Sequence, residues 1–219
     1  MTTPRQVLRL QTTVAPRLSD APRQYDARAQ DYLNNVLRLY FNQIDADFGG
    51  LLSDVGGRFL SSPYAAVQRT TNKTFTANTA TEVTFDQNDF LNGCANDGTD
   101  GITVDYAGIY NYQFSVQWAN TDSQAHDAWI WLRTNGADVA GTASQFTVPS
   151  SHGGVDGRLI AAANFFVSLQ AGDKIKMMAA VNNVAVFMEA LAAQSSPWVM
   201  PAIPSIVATL TFVSSPPTT

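Results

Sequence analysis

The sequence predicts a mainly β protein, a jelly-roll sandwich that follows an extended N-terminal arm and one amphipathic α-helix. From Ala29 to Leu51, apolar residues recur at steps of three and four, which is the period of a helix. From Tyr64 onward they alternate at a period of two in short runs separated by turn residues, which indicates strands. We therefore predict an arm and anchoring helix in 1–60 and a jelly-roll head domain in 61–219.

The balance of basic and acidic residues also changes at the boundary between 1–60 and 61–219. Residues 1–60 carry seven Arg and six Asp, whereas 61–219 carry six Lys or Arg against twelve Asp or Glu. The whole chain has a net charge of −5, and its head has no basic stripe, so we expect no nucleic-acid partner. No apolar run approaches 18 residues, so we expect no membrane span. One cysteine, Cys94, excludes an intrachain disulfide, and we predict it to be a loop residue.

The arm combines prolines with scattered apolar residues and shows no helical period. It also holds the one basic region of the chain. Its arginines are Arg5, Arg9, Arg17, Arg23 and, at the start of the helix, Arg28. Such a region is either solvated or docks onto an acidic protein surface, and the sequence leaves both interpretations open.

The helix is predicted from Pro22 to Leu52, because proline suits a first helical turn and Gly56-Gly57 follows the periodic segment. Its stripe is the candidate anchoring surface and consists of Leu33, Val36, Tyr40, Ile44 and Phe48. Such a stripe packs on the chain's own head, forms a short bundle with other copies, or attaches the protein to a larger particle.

The strands of the head are predicted from alternation and from the turns between them. They are Thr81–Phe85, Ile102–Val104, Ile109–Trp118, Ala128–Arg133, Leu159–Leu169, Lys174–Val181, Val184–Leu191 and Ile206–Val213. Asn135-Gly136 favours a tight hairpin turn. Three prolines around Trp198 argue against a strand in 194–205, which we interpret as an ordered crossing over the end of the sandwich.

Two aromatic sets are candidates for the core or for a trimer interface. The first set, Tyr110, Tyr112, Phe114 and Trp118, shares one strand face. The second set is Trp129 and Trp131. These residues alternate with Ile130 and Leu132, so their strand is apolar on both faces. Any of these rings that is exposed could stack on a sugar.

Motifs for chemistry are missing from the sequence, so we predict no enzyme, no catalytic residue, no cofactor and no metal. His126 and His152 share no metal-type spacing with each other or with Cys94. No Gly-x-Ser-x-Gly elbow and no phosphate-binding loop occur. The segment 96–100 clusters side-chain oxygens like a cation loop, but it lacks the glutamate that closes such a site.

The order of four segments resembles the complement-type globular head and tumour necrosis factor-like jelly rolls. Ala107–Val116 looks like the Gly-x-Tyr-x-Phe strand of that family, and Trp129–Gly136 looks like the hairpin that follows it. Leu169–Ile175 is similar to its Leu-x-x-Gly-Asp strand entry, and Thr209–Phe212 to its closing strand. The resemblance covers roughly 64–213 and implies a jelly roll that assembles as a homotrimer.

A narrower resemblance concerns tailed-bacteriophage virion structural proteins, and it lies in Arg38–Asp45 and Pro201–Ser205 taken with the jelly-roll motifs. It implies a non-enzymatic protein located in the virion and assembled in the host cytoplasm. We expect a capsid decoration or cement protein bound to the major capsid protein. The alternative is a tail fibre or tail-associated receptor-binding protein, whose partners are tail proteins and a host surface glycan. An enzyme on a jelly roll is the third class.

Overall fold

A computed structural model describes residues 14–18, 20, 22–52, 62–99 and 101–214. These residues fall into two compact units, one on either side of the Ser61–Ser62 bond. Most of the predicted N-terminal arm lies outside the described residues. Each unit is taken separately below.

The single helix of the described N-terminal unit, α1, spans Ala27–Leu52. The predicted start at Pro22 is wrong, because Asp26 begins the helix as its N-cap. The Asp26 carboxylate accepts a hydrogen bond from the Arg28 amide at 2.9 Å, and its carbonyl accepts the first helical bond from Gln30 at 3.0 Å. An aspartate that satisfies a free N–H of the first turn is a stronger start signal than a proline four residues earlier.

The apolar stripe of α1 is only partly covered. Leu33, Val36, Tyr40 and Ile44 are half-buried, and Phe48 at the edge of the stripe is exposed. As far as the side chains of α1 are described, none is buried. Within the described residues no helix is both long enough and apolar enough to span a bilayer. The helix is therefore amphipathic, and its described apolar side chains are half-buried or exposed.

Thirteen strands make up the described part of the head. They are β1 Tyr64–Arg69, β2 Thr81–Val83, β3 Gln87–Asn92, β4 Cys94–Asn96, β5 Ile102–Val104, β6 Gly108–Asn120, β7 His126–Thr134, β8 Ala137–Asp138, β9 Ser144–Val148, β10 Gly157–Leu169, β11 Lys174–Val181, β12 Val186–Met188 and β13 Ile206–Ser214.

Two antiparallel sheets contain these strands. Sheet 1 has the order β10-β6-β13-β1-β3. Strand β12 pairs with the same edge of β6 as β13 does, beyond the point where β13 ends. Sheet 2 has the order β4-β5-β11-β7-β8, with β2 also on β11 and β9 also on β7. The pairing of β6 with β10 is the longest and runs from Gly108↔Leu169 to Asn120↔Gly157. The predicted jelly-roll sandwich with one N-terminal helix is confirmed.

The core of the head is a single cluster contributed by both sheets. Sheet 1 supplies Trp118 and Tyr112, and sheet 2 supplies Ile130, Leu132 and Met177, all at most 1% exposed. Alternate residues of each central strand point into this cluster, as the period of two predicts. The hairpin turn is also confirmed: Asn135 and Gly136 have φ of 49° and 86° between β7 and β8, in the left-handed region that this turn requires.

The prediction that Leu91–Gly98 is a loop is wrong. This segment contains the end of β3 and all of β4, and Cys94 is buried where β4 pairs with Val104 of β5. Turn-forming residues around Cys94 obscured strands that pairing with neighbours stabilises. The strand predicted over Val184–Leu191 shortens to β12, since a turn occupies 182–185.

The segment between β12 and β13 folds back on itself rather than crossing the end of the sandwich. The chain leaves the edge of β6 at Met188, opposite Trp118, and returns at Ile206, opposite Val116. In between, isolated bridges join Leu191 to Ile203 and Gln194 to Met200. The segment is therefore an excursion, that is, a hairpin-like loop whose two halves pair with each other and whose two ends join the same edge of β6. Trp198 and Val199 are exposed at its tip.

Gly157 provides a test of this packing. A Cβ atom at this position would overlap the carbonyl group of Pro149. We expect Gly157→Ala to lower the free energy of unfolding by about 1–3 kcal/mol, as overpacking does. Chemical denaturation measures the change. Gly136→Asn is the control, because Gly136 has open space around it and asparagine tolerates its positive φ. Equal stability of Gly157→Ala and the wild type would contradict the described register of β10.

Candidate functional site

The aromatic residues of β6 lie inside the head. Tyr110, Tyr112 and Trp118 are at most 1% exposed, and Phe114 is 4% exposed. They contact further core rings, with centroid distances of 5.7 Å from Trp118 to Phe75 and 6.3 Å from Phe114 to Phe165. This first set is therefore core in the described head, and a subunit contact must use other residues.

The outer face of sheet 1 is uncharged over most of its area. Its outward positions in β1, β6, β10 and β13 are Tyr64, Ala66, Gln68, Ile109, Asn111, Gln113, Ser115, Gln117, Arg158, Ile160, Ala162, Asn164, Phe166, Ser168, Val207, Thr209, Thr211 and Val213. The one charge among them, Arg158, donates two hydrogen bonds to Glu189 at 2.6 and 3.0 Å. The four strands are thus apolar or neutral on this face, with one ion pair at one end, and the edge strand β3 adds the carboxylate of Asp89, which accepts a hydrogen bond from Gln68 at 2.7 Å.

Sequence reasoning missed the exposed apolar residues of this face. Ile160 and Phe166 are each 64% exposed, and Val207 and Val213 are 40% and 51% exposed. A shallow depression of about 220 Å³ lies beside Val207 and is lined also by Gln113, Ser115 and Thr209. A signal was available in the predicted strand 159–169, which carries large apolar residues on both of its faces. Large apolar residues on both faces are typical of a strand that is covered on both sides.

The two tryptophans of the second set lie on the outer face of sheet 2. Trp129 and Trp131 are half-buried, whereas the alternate residues Ile130 and Leu132 are in the core. The Trp131 indole N–H donates to Asp138 Oδ1 at 2.8 Å, so the ring is held in one orientation. This face differs from that of sheet 1 because it combines aromatic rings with ion pairs.

The histidines show no catalytic arrangement in the described part of the head. His126 Nε2 lies 2.8 Å from Asp122 Oδ2, and this hydrogen bond lowers the pKa of the Asp122 carboxyl. His152 makes a small backbone bridge with Val155. None of the described hydrogen bonds joins either imidazole to a serine hydroxyl. That the chain is not an enzyme stays a prediction.

The oxygens of the predicted cation-like segment are used within the loop itself. Asp97 Oδ1 accepts bonds from the amide and the hydroxyl of Thr99 at 2.9 and 2.8 Å. Asn96 is buried and bonds to Asn88. Asp100 lies outside the described residues. Among the described residues no group of three or more His, Cys, Asp or Glu side chains could hold a metal ion.

Cys94 is placed in a non-reactive environment. Its side chain is in the core cluster, and burial, helped by the nearby Asp105 carboxylate, raises the pKa of the thiol to about 11. The protonated thiol is not a nucleophile at neutral pH. This residue therefore contributes packing to the head and belongs to no reactive site.

No family model matches the chain, and no curated protein matches it. Among solved structures, the chain is similar to the globular domain of zebrafish complement 1qA protein, at 13% sequence identity and a TM-score of 0.42. The match covers 71% of this chain and 99% of that one. The two antiparallel sheets of the head form a jelly-roll sandwich.

Cys94 yields a prediction about reactivity and pH. We expect a thiol reagent to modify the folded chain at pH 8 far more slowly than the chain unfolded in guanidinium chloride, because the thiol is covered and protonated. Folding raises the pKa of the Cys94 thiol, so the protonated thiol favours the folded state fully below about pH 9. This stabilisation is lost as the pH rises through about 11. Unfolding free energies from pH 8 to 11 should fall less in Cys94→Ala. Equal labelling rates in both states would contradict the buried placement.

Proposed function

We propose that the chain is a non-enzymatic structural protein of a tailed-bacteriophage virion, a capsid decoration or cement subunit that works as a homotrimer. Its arm and helix attach it to the major capsid protein, and its jelly-roll head forms the trimer. The largely uncharged outer face of sheet 1 is the observation that supports the proposed trimer. The phage assignment is supported by the likeness of Arg38–Asp45 and Pro201–Ser205 to virion proteins.

The outer face of sheet 1 has the chemistry of a subunit interface. Interface cores are depleted in charge and enriched in aromatic and aliphatic groups. Here Ile160, Phe166, Val207 and Val213 supply the apolar area, and uncharged polar residues lie between them. The Arg158–Glu189 pair is positioned at the rim of the face, where an exposed ion pair remains hydrated. In a trimer this face would pack against a different patch of the neighbouring copy, and its central strands β6 and β13 would bring no charge into that contact.

The helix supplies the attachment to the particle in this proposal. Its stripe of Leu33, Val36, Tyr40, Ile44 and Phe48 is half-buried or exposed in the described chain. Polar residues such as Asn42 and Asp45 occupy the opposite side of the helix. An amphipathic helix with an open apolar arc docks into a groove of its partner. The arginines near its N-terminus favour an acidic partner surface.

The second candidate is a tail-associated receptor-binding protein. It is favoured by the outward tryptophans of sheet 2, which are half-buried and whose partly accessible rings offer a stacking surface for sugars. Both candidates share the trimeric head and the helical attachment, and they differ in the location and number of copies on the virion. Labelling of intact particles separates them, because decoration proteins number in the hundreds and tail proteins occupy one vertex.

Charge introduced into the stripe tests the attachment. We expect the double variant Leu33→Asp with Val36→Asp to lose particle occupancy about tenfold or more, because two carboxylates would have to be buried in an apolar groove. Quantitative mass spectrometry of purified virions measures the occupancy. Asn42→Asp, on the polar side of the helix, should remain at wild-type occupancy. Native occupancy of the double variant would show that the stripe does not anchor the protein.

Charge introduced into the sheet 1 face tests the trimer. We expect the wild-type chain to sediment as a trimer at micromolar concentration, and Ile160→Asp or Phe166→Asp to weaken association by roughly thirtyfold or more. Val184→Asp is the matched control, because Val184 is also 64% exposed but lies in a turn away from this face. A wild-type chain that stays monomeric at high micromolar concentration would overturn the assembly.

A further inference from the structure

We propose that the outer face of sheet 2 holds a binding site for an uncharged glycan, with Trp129 and Trp131 as its stacking platform. For the sugar partner proposed above, the ligand would be an uncharged oligosaccharide and the residues that bind it would be Trp129 and Trp131. The proposal rests on the head domain alone and applies to either location on the virion.

The two indoles form a continuous apolar strip along β7. They occupy alternate positions of one strand, so their Cα atoms are about 6.8 Å apart. This separation is comparable to the spacing of neighbouring sugars in an oligosaccharide chain. Opposite Trp129 are Ala180 on β11 and Gln145 on β9. The Ala180 methyl group is too short to cover the Trp129 indole, so this ring keeps one side open.

Hydrogen-bonding groups are fixed at one end of this strip. Asp138 Oδ1 accepts bonds from both the Trp131 indole N–H at 2.8 Å and Arg133 Nε at 2.7 Å. Its other carboxylate oxygen and the terminal nitrogens of Arg133 make no hydrogen bond among the described residues. The two bonds also hold the pKa of the Asp138 carboxyl below its usual value, so it is an acceptor at neutral pH. A carboxylate and a guanidinium beside an aromatic ring match the hydroxyl groups at the edge of a sugar.

Two cations of this face are paired: Arg133 with Asp138, and Lys176, whose Nζ lies 3.1 Å from Glu82 Oε2. Asp127, the outward residue of β7 before Trp129, accepts a hydrogen bond from the Thr147 hydroxyl and adds a negative charge to the face. Paired cations and an added carboxylate favour an uncharged ligand. A sialylated or sulfated glycan would have to break one of these pairs to bind its own anion. A neutral hexose chain can add hydrogen bonds and leave both pairs intact.

An array of neutral and anionic oligosaccharides, probed with the full chain, tests the proposal, and titration calorimetry follows with the neutral oligosaccharide that binds best. We expect saturable binding that Trp129→Ala and Trp131→Ala each weaken about tenfold or more, and that Asp138→Ala also weakens. The matched control is Trp198→Ala, because Trp198 is a 63% exposed tryptophan at the tip of the excursion. It should bind within about twofold of the wild type.

Several results would overturn the site. These are no saturable binding to any neutral oligosaccharide, binding to anionic glycans only, or an equal loss in Trp198→Ala. Circular dichroism and thermal melting check that each variant is folded. If Trp131→Ala fails to fold because the ring covers Met178, Trp129→Ala and Asp138→Ala decide the question. Unchanged binding in both would show that the tryptophans only cover the sheet. Particle occupancy is measured separately, so a failed glycan site leaves the virion role intact.

Discussion

The alternation of residues along β6 is the constraint on which the rest of the head depends. This strand places Tyr110, Tyr112, Phe114, Val116 and Trp118 in the core, and it pairs with β10 on one edge and with β13 and β12 on the other. A slip of one residue would turn this whole aromatic set to the outside, so the register is strongly specified. The buried Asn120 fixes the end of the strand, since its amide donates to the carbonyls of Gln124 and Pro149.

The same alternation gives the head two outer faces with different chemistry. Each strand that sends one set of side chains inward presents the other set outward. On sheet 1 the outward set is largely uncharged and includes Ile160 and Phe166, which suits a contact with a neighbouring subunit. On sheet 2 it combines two tryptophans with the Arg133–Asp138 and Lys176–Glu82 pairs, which suits a polar ligand. The proposed assembly and the proposed glycan site therefore occupy opposite sheets and do not compete.

The N-terminal unit follows a different physical rule. Its helix has an apolar arc wider than one stripe, since Tyr32 and Leu39 on one flank and Phe41 and Phe48 on the other are more than half exposed. Helix formation in water depends largely on covering such a face. The chain therefore combines a helix whose described apolar side chains are at most half-buried with a β head that folds around its own core.

The sequence by itself determined the helix, the long strands and the hairpin at Asn135-Gly136, because periodicity and turn chemistry are local properties. Only the tertiary structure decided the short strands β3, β4 and β9 and the burial of Cys94, since three to six residues form a strand only where neighbours pair with them. The period of β7 showed that Trp129 and Trp131 oppose Ile130 and Leu132. Which pair faces inward depends on where the second sheet lies, and that is a property of the packed sandwich and not of the strand.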